Sequence, residues 1–134
     1  MRWMMLWWLI LAVGVALAAY VRLAPSDPAR WHVKPQVSAP KDFEGGALRK
    51  VRGGVETLEK IDEIARTEPR TEVLAGSASE GMITYVARSK LWGFPDYITI
   101  WQDDAEVFLY SRLRFGRSDM GVNRARLERW IDQL

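Results

Sequence analysis

Residues 3–21 form an uncharged run, WMMLWWLILAVGVALAAYV, which is bracketed by Arg2 and Arg22. As an α-helix this run would be about 28 Å long, close to the roughly 30 Å thickness of a bilayer's hydrocarbon core. A helix that is apolar on every side does not suit the core of a small soluble domain. Tryptophans crowd one end of the run and Tyr20 lies at the other, as in interfacial aromatic belts. The run therefore predicts a single membrane-spanning helix over residues 1–22.

The same run also fits a cleaved signal peptide, because residues 16–18 read Ala-Leu-Ala, an A-x-A pattern. The apolar run continues past this site to Val21, which favours a retained anchor. Arg2 and the α-amino group favour a cytoplasmic N-terminus, whereas the basic residues after the run favour the opposite orientation. A very short N-terminal tail before a large domain favours export. We therefore expect a single-pass protein of a bacterial inner membrane with its soluble domain in the periplasm.

Residues 23–54 are predicted to be a connector. They contain Pro25, Pro28, Pro35 and Pro40 together with two Gly-Gly pairs, which exclude a continuous helix. Only a weak strand pattern is present, at residues 47–51. The single histidine of the chain, His32, lies here without nearby candidate ligands or triad partners, so we assign it no function. The chain has no cysteine, which excludes disulfides and thiolate metal sites.

Residues 55–134 are predicted to form one α+β domain. Residues 55–66 have apolar side chains at helical spacing, and Pro69 ends that helix. Strand-like runs follow at residues 71–77, 82–89, 97–102 and 106–115, and their short connections imply antiparallel neighbours. A terminal helix is expected to begin at Asn123 as its N-cap, with Ser118 or Asp119 as earlier alternatives. The expected fold is a mainly antiparallel sheet of about four strands, packed with two helices.

The last two strands are predicted to have contrasting faces. One face, under the helices, would carry Ile98, Ile100, Val107, Leu109, Leu113 and Phe115. The other would carry Tyr97, Thr99, Trp101, Phe108, Tyr110, Arg112 and Arg114. This second face has two interpretations. It is either a half-covered second core whose arginines pair with carboxylates, or a concave surface for a ligand with an apolar body and an anionic head.

Arginines are concentrated near the C-terminus, with six between residues 110 and 130 against Asp119 and Glu128. Arg112 and Arg114 lie two apart on a strand, so they point the same way and suit bidentate binding of a carboxylate or phosphate. The loop at residues 116–121 leads into a helix N-terminus, which favours an anion. The candidate ligand-binding residues are Trp101, Tyr110, Arg112, Arg114, Ser118, Asp119, Asn123 and Arg126. Alternatively, Asp119 neutralises Arg114, and the corner is a structural latch that ties strand to helix.

The segment SRLRFGRSDMGVNRAR, residues 111–126, resembles the signature of the domain of unknown function 1499 family. Looser similarity covers most of residues 55–134. Two features depart from the family pattern: Leu113, where the family often has a small polar residue, and a connector without the cysteine-bearing segment of many members. The resemblance implies a small, often membrane-attached or exported domain with no established reaction or ligand. The marker positions it implies are Arg112, Arg114, Gly116, Ser118, Asp119, Gly121, Asn123 and Arg126.

The sequence leans against an enzyme. It has no cysteine nucleophile, its histidine lies in the connector, and no Asp/Glu/His cluster has metal-ligand spacing. Asp119 beside several arginines would be a poor base. We expect a non-enzymatic binding or accessory module for an anionic lipid or small anionic ligand, with no cofactor, metal or nucleic acid. The alternatives are an interaction subunit of an envelope complex and an unrecognised hydrolase.

Overall fold

The computed structural model describes residues 1–36 and 39–134; Val37 and Ser38, in the predicted connector, lie outside the described residues. Helix α1, Arg2–Leu23, has 22 residues and no buried residue, and an 18-residue stretch within it has a mean hydropathy of 2.2. Within the described ranges it is the one helix whose length and composition allow it to cross a membrane. An apolar helix at this position is either a membrane anchor or a signal sequence.

The rest of the described chain forms an α+β fold around one antiparallel sheet with the strand order β1-β2-β6-β5-β4-β3. The strands are β1 Lys41–Phe43, β2 Gly46–Arg52, β3 Thr71–Ser77, β4 Met82–Arg88, β5 Pro95–Asp103 and β6 Glu106–Leu113. The helices after α1 are α2 Pro28–Trp31, α3 Val55–Thr67 and α4 Val122–Asp132. The predicted fold class is thereby confirmed.

The sheet has six strands in the described residues rather than about four, and the two additional strands lie in the predicted connector. β2 pairs with β6 along its whole length, from Gly46 opposite Arg112 to Arg52 opposite Glu106. Its sequence, GALRKVR, has little strand propensity, so pairing with a hydrophobic neighbour determines its conformation. The sheet therefore begins at Lys41, before the predicted domain boundary at residue 55.

The main core lies between the sheet and helices α3 and α4. Trp130 is fully buried, its ring meets Tyr85 edge-on at 6.0 Å, and its Nε1 donates to Glu68 Oε2 at 2.7 Å. The predicted core residues of β5 and β6 are buried here, whereas Leu113 and Phe115 are only half-buried at the end of β6. The core includes Leu58, Ile61, Ala65, Ile98, Ile100, Val107, Leu109 and Leu127.

The C-terminal end of α1 is joined to one end of the sheet. Arg22 donates from Nη2 to the carbonyl oxygen of Leu91 at 2.6 Å and from Nε to that of Trp92 at 3.3 Å. The ring of Tyr20 meets Phe115 edge-on, with 5.9 Å between centroids. Consequently the β4–β5 loop and the loop from β6 to α4 both lie beside the end of α1.

Candidate functional site

The sheet face opposite the helices carries a second, smaller apolar cluster. Trp101 and Phe108 stack with their ring centroids 5.1 Å apart, and Leu48 of β2 packs with them. Phe43, Met82 and Tyr110 lie at the edge of this cluster. The interpretation of this face as a second core is thereby supported for Trp101 and, at its edge, for Tyr110.

Residues 25–32 of the predicted connector cross this face and cover its other half. Trp31 stacks on Tyr97, with 3.9 Å between centroids and 11° between planes. His32 Nδ1 lies 2.8 Å from Thr84 Oγ1, and Ser26 Oγ lies 2.7 Å from the Tyr97 hydroxyl. The hydroxyl groups of the sheet are thus satisfied by the chain's own connector.

Arg112 lies beneath this connector and is only 8% exposed. Its guanidinium donates to Thr99 Oγ1 at 2.8 Å and to the carbonyl oxygen of Trp31, and its Cζ lies 4.6 Å from the centre of the Tyr110 ring. Burial lowers the pKa of Arg112 to about 10. No carboxylate in the described residues pairs with it, so the predicted carboxylate pairing is wrong. Neutral acceptors and aromatic faces hold this cation instead.

Arg114 also binds the connector rather than Asp119. Its Nη1 donates to the Pro25 carbonyl oxygen and to the Tyr97 hydroxyl, both at 3.0 Å. The predicted latch between Arg114 and Asp119 is therefore wrong. Arg112 and Arg114 were predicted to bind an anion. They instead hold residues 25–31 against the sheet.

Asn123 and Arg126 lie on the helix side of the sheet, because Ser111 and Arg112 are successive residues of β6 and point to opposite faces. Ser111 Oγ donates to Asn123 Oδ1, and Arg126 Nη1 donates to Ser111 Oγ at 3.1 Å. Asn123 is fully buried and is not the N-cap of α4, which corrects the prediction. The side chain of Asn123 ties α4 to the sheet.

Asp96 completes this buried polar group and is not among the residues predicted from sequence. One of its carboxylate oxygens, Oδ2, lies 3.4 Å from Arg126 Nη2. Burial raises the pKa of Asp96, and this effect outweighs the opposing influence of Arg126. Its inward-facing position, opposite Leu113 at the start of β5, is visible only once the strand register is known.

The N-cap of α4 is Gly121, so the alternative N-caps predicted at Ser118 and Asp119 are wrong as well, although the Asp119 carboxylate accepts hydrogen bonds at the start of the helix. Asp119 Oδ1 accepts from the amide of Gly121 at 2.9 Å, and its Oδ2 accepts from the amide of Asn123 at 3.1 Å. Ser118 Oγ accepts from the Met120 amide at 3.2 Å at the surface. The eight predicted site residues therefore lie in three places: on the sheet face opposite the helices, which residues 25–32 partly cover, on the sheet face under the helices, and in the loop from β6 to α4.

An open cleft of about 840 Å³ lies between the end of α1 and the edge of the sheet formed by β3 and β4. Four of its lining residues are basic and one, Glu72, is acidic, with apolar walls from Leu23, Val73 and Val86. None of the four cations is in a salt bridge in the part of the chain that is described. The basic residues are Arg22, Arg70, Arg88 and Lys90. They lie in three separate segments, so no local sequence pattern indicates the cleft.

Residues 1–36 and 39–134 contain no group of three His, Asp or Glu side chains arranged to hold a metal ion. No similarity to a curated protein or to a solved structure was found. The family model described as "Protein of unknown function (DUF1499)" matches residues 24–134. That match includes β1 and β2, in keeping with a folded unit that begins before residue 55. The chain therefore belongs to the DUF1499 family of proteins of unknown function.

Proposed function

We propose that this protein is a non-enzymatic binding module at a membrane surface, and that its ligand is an anionic amphiphile, such as an anionic phospholipid. The ligand lies in the cleft between the end of α1 and the β3–β4 edge. The observation that supports this proposal is the lining of the cleft. It contains four basic side chains and one carboxylate, and it lies immediately beside the end of an apolar, unburied helix.

The charge distribution of the cleft favours an anionic headgroup. The guanidinium groups of Arg22 and Arg88 are held in place by donating to carbonyl oxygens of the β4–β5 loop. Arg70 and Lys90 are exposed, and Arg70 Nε donates to the carbonyl oxygen of Arg88 at 3.2 Å. Each basic residue near an anionic membrane surface is worth about 1 kcal/mol of attraction. A phosphate among these four groups would therefore be held without any exact hydrogen-bond geometry.

The apolar parts of the cleft favour an amphiphile over a small free anion. Leu23 is 80% exposed and Val73 is 37% exposed, so both offer apolar surface beside the cations. An acyl chain leaving the headgroup would run along α1 into the bilayer. A free phosphate would use only the cations and leave these surfaces in water.

Arg112 and Arg114 have an indirect role in this proposal. They hold Pro25 and Trp31, and Pro25 belongs to the wall of the cleft. We therefore reinterpret them as residues that fix the position of the cleft wall. The connector takes the place that a ligand on the aromatic and arginine face would occupy.

The proposal includes retention of α1 as an anchor in a bacterial inner membrane, with the domain on the periplasmic side. Its basis is Arg2, the basic residue on the N-terminal side of the apolar run, and the continuation of that run past the A-x-A pattern. C-terminal fusions test the orientation. Active alkaline phosphatase with a dark green-fluorescent-protein fusion supports export, and the reverse pattern refutes it.

Lipid selectivity tests the binding site. The full-length protein is reconstituted in nanodiscs of mixed phosphatidylglycerol and phosphatidylcholine, released gently, and examined by native mass spectrometry. The expected result is retained phosphatidylglycerol, which Arg70→Gln plus Lys90→Gln abolishes. The matched control is Arg52→Gln plus Lys60→Gln, two exposed basic residues outside the cleft, and it should retain the lipid. Equal retention in both double variants overturns the site, and displacement of the lipid by inorganic phosphate alone identifies a small anion as the ligand.

A further inference from the structure

We propose that the β4–β5 loop, residues 89–94, enters the lipid interface and gives the domain a second membrane contact beside α1. Leu91 is 70% exposed, Trp92 57% and Phe94 43%. Three large apolar side chains exposed within four residues are unusual for a surface that faces only water. This proposal stands apart from the cleft ligand, because it depends on apolar surface rather than on the basic residues.

The loop lies at the level where α1 would leave the membrane. Arg22, the first charged residue after the apolar run, donates to the carbonyl oxygens of Leu91 and Trp92. Gly93 is buried against the aliphatic stem of Arg22; a Cβ there would lie 3.0 Å from Arg22 Cγ. The loop therefore cannot move away from the end of α1 without breaking these contacts. Tryptophan at such a depth is characteristic of interfacial anchors.

Five of the six carbonyl groups of the loop and three of its amides are hydrogen-bonded within the protein. Ser89 N donates to the Phe94 carbonyl oxygen at 3.0 Å, and Ser89 Oγ accepts from the Phe94 amide at 2.9 Å. Arg88 donates to the Gly93 carbonyl oxygen at 2.9 Å. Because unsatisfied backbone groups make entry into a membrane costly, this closed loop is suited to present apolar side chains to lipid.

The two ends of the sheet differ in a way that agrees with this orientation. The same end as the β4–β5 loop carries the loop from β6 to α4, in which Met120 is 94% exposed. At the opposite end, the β3–β4 connection carries Glu80 and the β5–β6 turn carries Asp103 and Asp104. The exposed apolar side chains therefore favour the end of the domain with residues 89–94 and Met120 facing the membrane.

The chain has no cysteine, so single labelling sites are available for a depth measurement. The full-length protein is labelled with an environment-sensitive fluorophore at L91C or, as control, at E80C, and is reconstituted in phosphatidylcholine vesicles. The expected result is several-fold stronger quenching of the L91C probe by lipids with nitroxide near the headgroup, together with protection from aqueous iodide. The E80C probe should show the reverse. Similar quenching at the two positions overturns the proposal.

A second labelling pair separates membrane entry from a local property of residue 91. The probe is placed at M120C, with and without Trp92→Ser plus Phe94→Ser. The expected result is that the double substitution leaves the circular dichroism unchanged and moves the M120C probe away from the lipid. An unchanged depth at residue 120 overturns the role of the loop. Because phosphatidylcholine is zwitterionic, this result does not depend on whether the cleft binds anionic lipid.

Discussion

Replacing Trp31 by alanine removes the side chain that covers the aromatic and arginine face of the sheet. The indole stacks on Tyr97 at 3.9 Å, and the Cζ of Arg112 lies 5.6 Å from its ring centre. The substitution leaves the Trp31 carbonyl oxygen in the chain, so its hydrogen bond from Arg112 remains possible. The experiment therefore isolates the contribution of the ring.

The expected loss can be worked out from three contributions. Burial of about 100 Å² of aromatic surface is worth up to about 2.5 kcal/mol at roughly 25 cal/mol per Å². The stacked pair adds about 0.5–1.5 kcal/mol, and the cation–π contact adds about 0.5–1 kcal/mol. Renewed hydration of the Arg112 guanidinium offsets part of this sum. We expect Trp31→Ala to lower the free energy of unfolding by about 2–4 kcal/mol, somewhat less than the roughly 3–5 kcal/mol for an aromatic residue in a core, because Trp31 is only half-buried.

Urea unfolding of the full-length protein in mild detergent, followed by far-ultraviolet circular dichroism, measures this change. The matched control is Trp8→Ala, since Trp8 lies in α1 and is 66% exposed. The control should leave the unfolding of the sheet domain unchanged within about 0.5 kcal/mol. If Trp31→Ala also falls within that margin, the connector does not stabilise the sheet, and the account of this face is refuted.

Four further substitutions test the remaining polar contacts by the same unfolding measurement. Arg112→Met keeps an apolar stem but leaves buried acceptors without a donor, so it should cost about 1–3 kcal/mol; a variant as stable as the parent would contradict the buried geometry. Asp119→Ala removes the carboxylate that accepts from the amides of Gly121 and Asn123 at the start of α4 and should cost about 0.5–2 kcal/mol, whereas Ser118→Ala, at an exposed turn, should cost less than about 0.5 kcal/mol. Because the pKa of Asp96 is raised, the folded state binds its proton more tightly than the unfolded state does. The stability of the parent relative to Asp96→Asn should therefore fall as pH rises from about 4 towards neutral, and a rise would reverse the assigned sign.

The strands predicted from the alternation of apolar and polar residues lie close to their predicted positions, because this alternation involves consecutive residues. β3 was predicted at residues 71–77, as observed, and the predicted β4 ends one residue beyond the observed strand. Only a weak residue pattern indicated β2, because GALRKVR becomes a strand through its pairing with β6. Local propensity therefore identifies strands with their own apolar pattern but not those that depend on a neighbour.

The candidate site was predicted less well than the fold, and the reason is also physical. The spacing of Arg112 and Arg114 indicated correctly that both point to one face of the sheet. Their partners, Trp31 and Pro25, lie about 80 to 90 residues away in sequence and contribute carbonyl oxygens, which every residue has. A contact between an arginine and a backbone carbonyl leaves no pattern in residue types. The basic cleft was missed for the related reason that its residues come together only through the tertiary fold.

Photo-crosslinking from the wall of the cleft tests the binding proposal most directly. Benzoylphenylalanine replaces Val73, which lines the cleft, or Met120, which lies at the same end of the domain outside it. The full-length protein is irradiated in membranes of known composition, and the attached lipids are identified by mass spectrometry. We predict that the adduct at residue 73 is strongly enriched in anionic phospholipid, whereas the adduct at residue 120 reflects the bulk membrane. Lipid adducts at residue 73 in bulk proportions, or none at all, would contradict the proposed site.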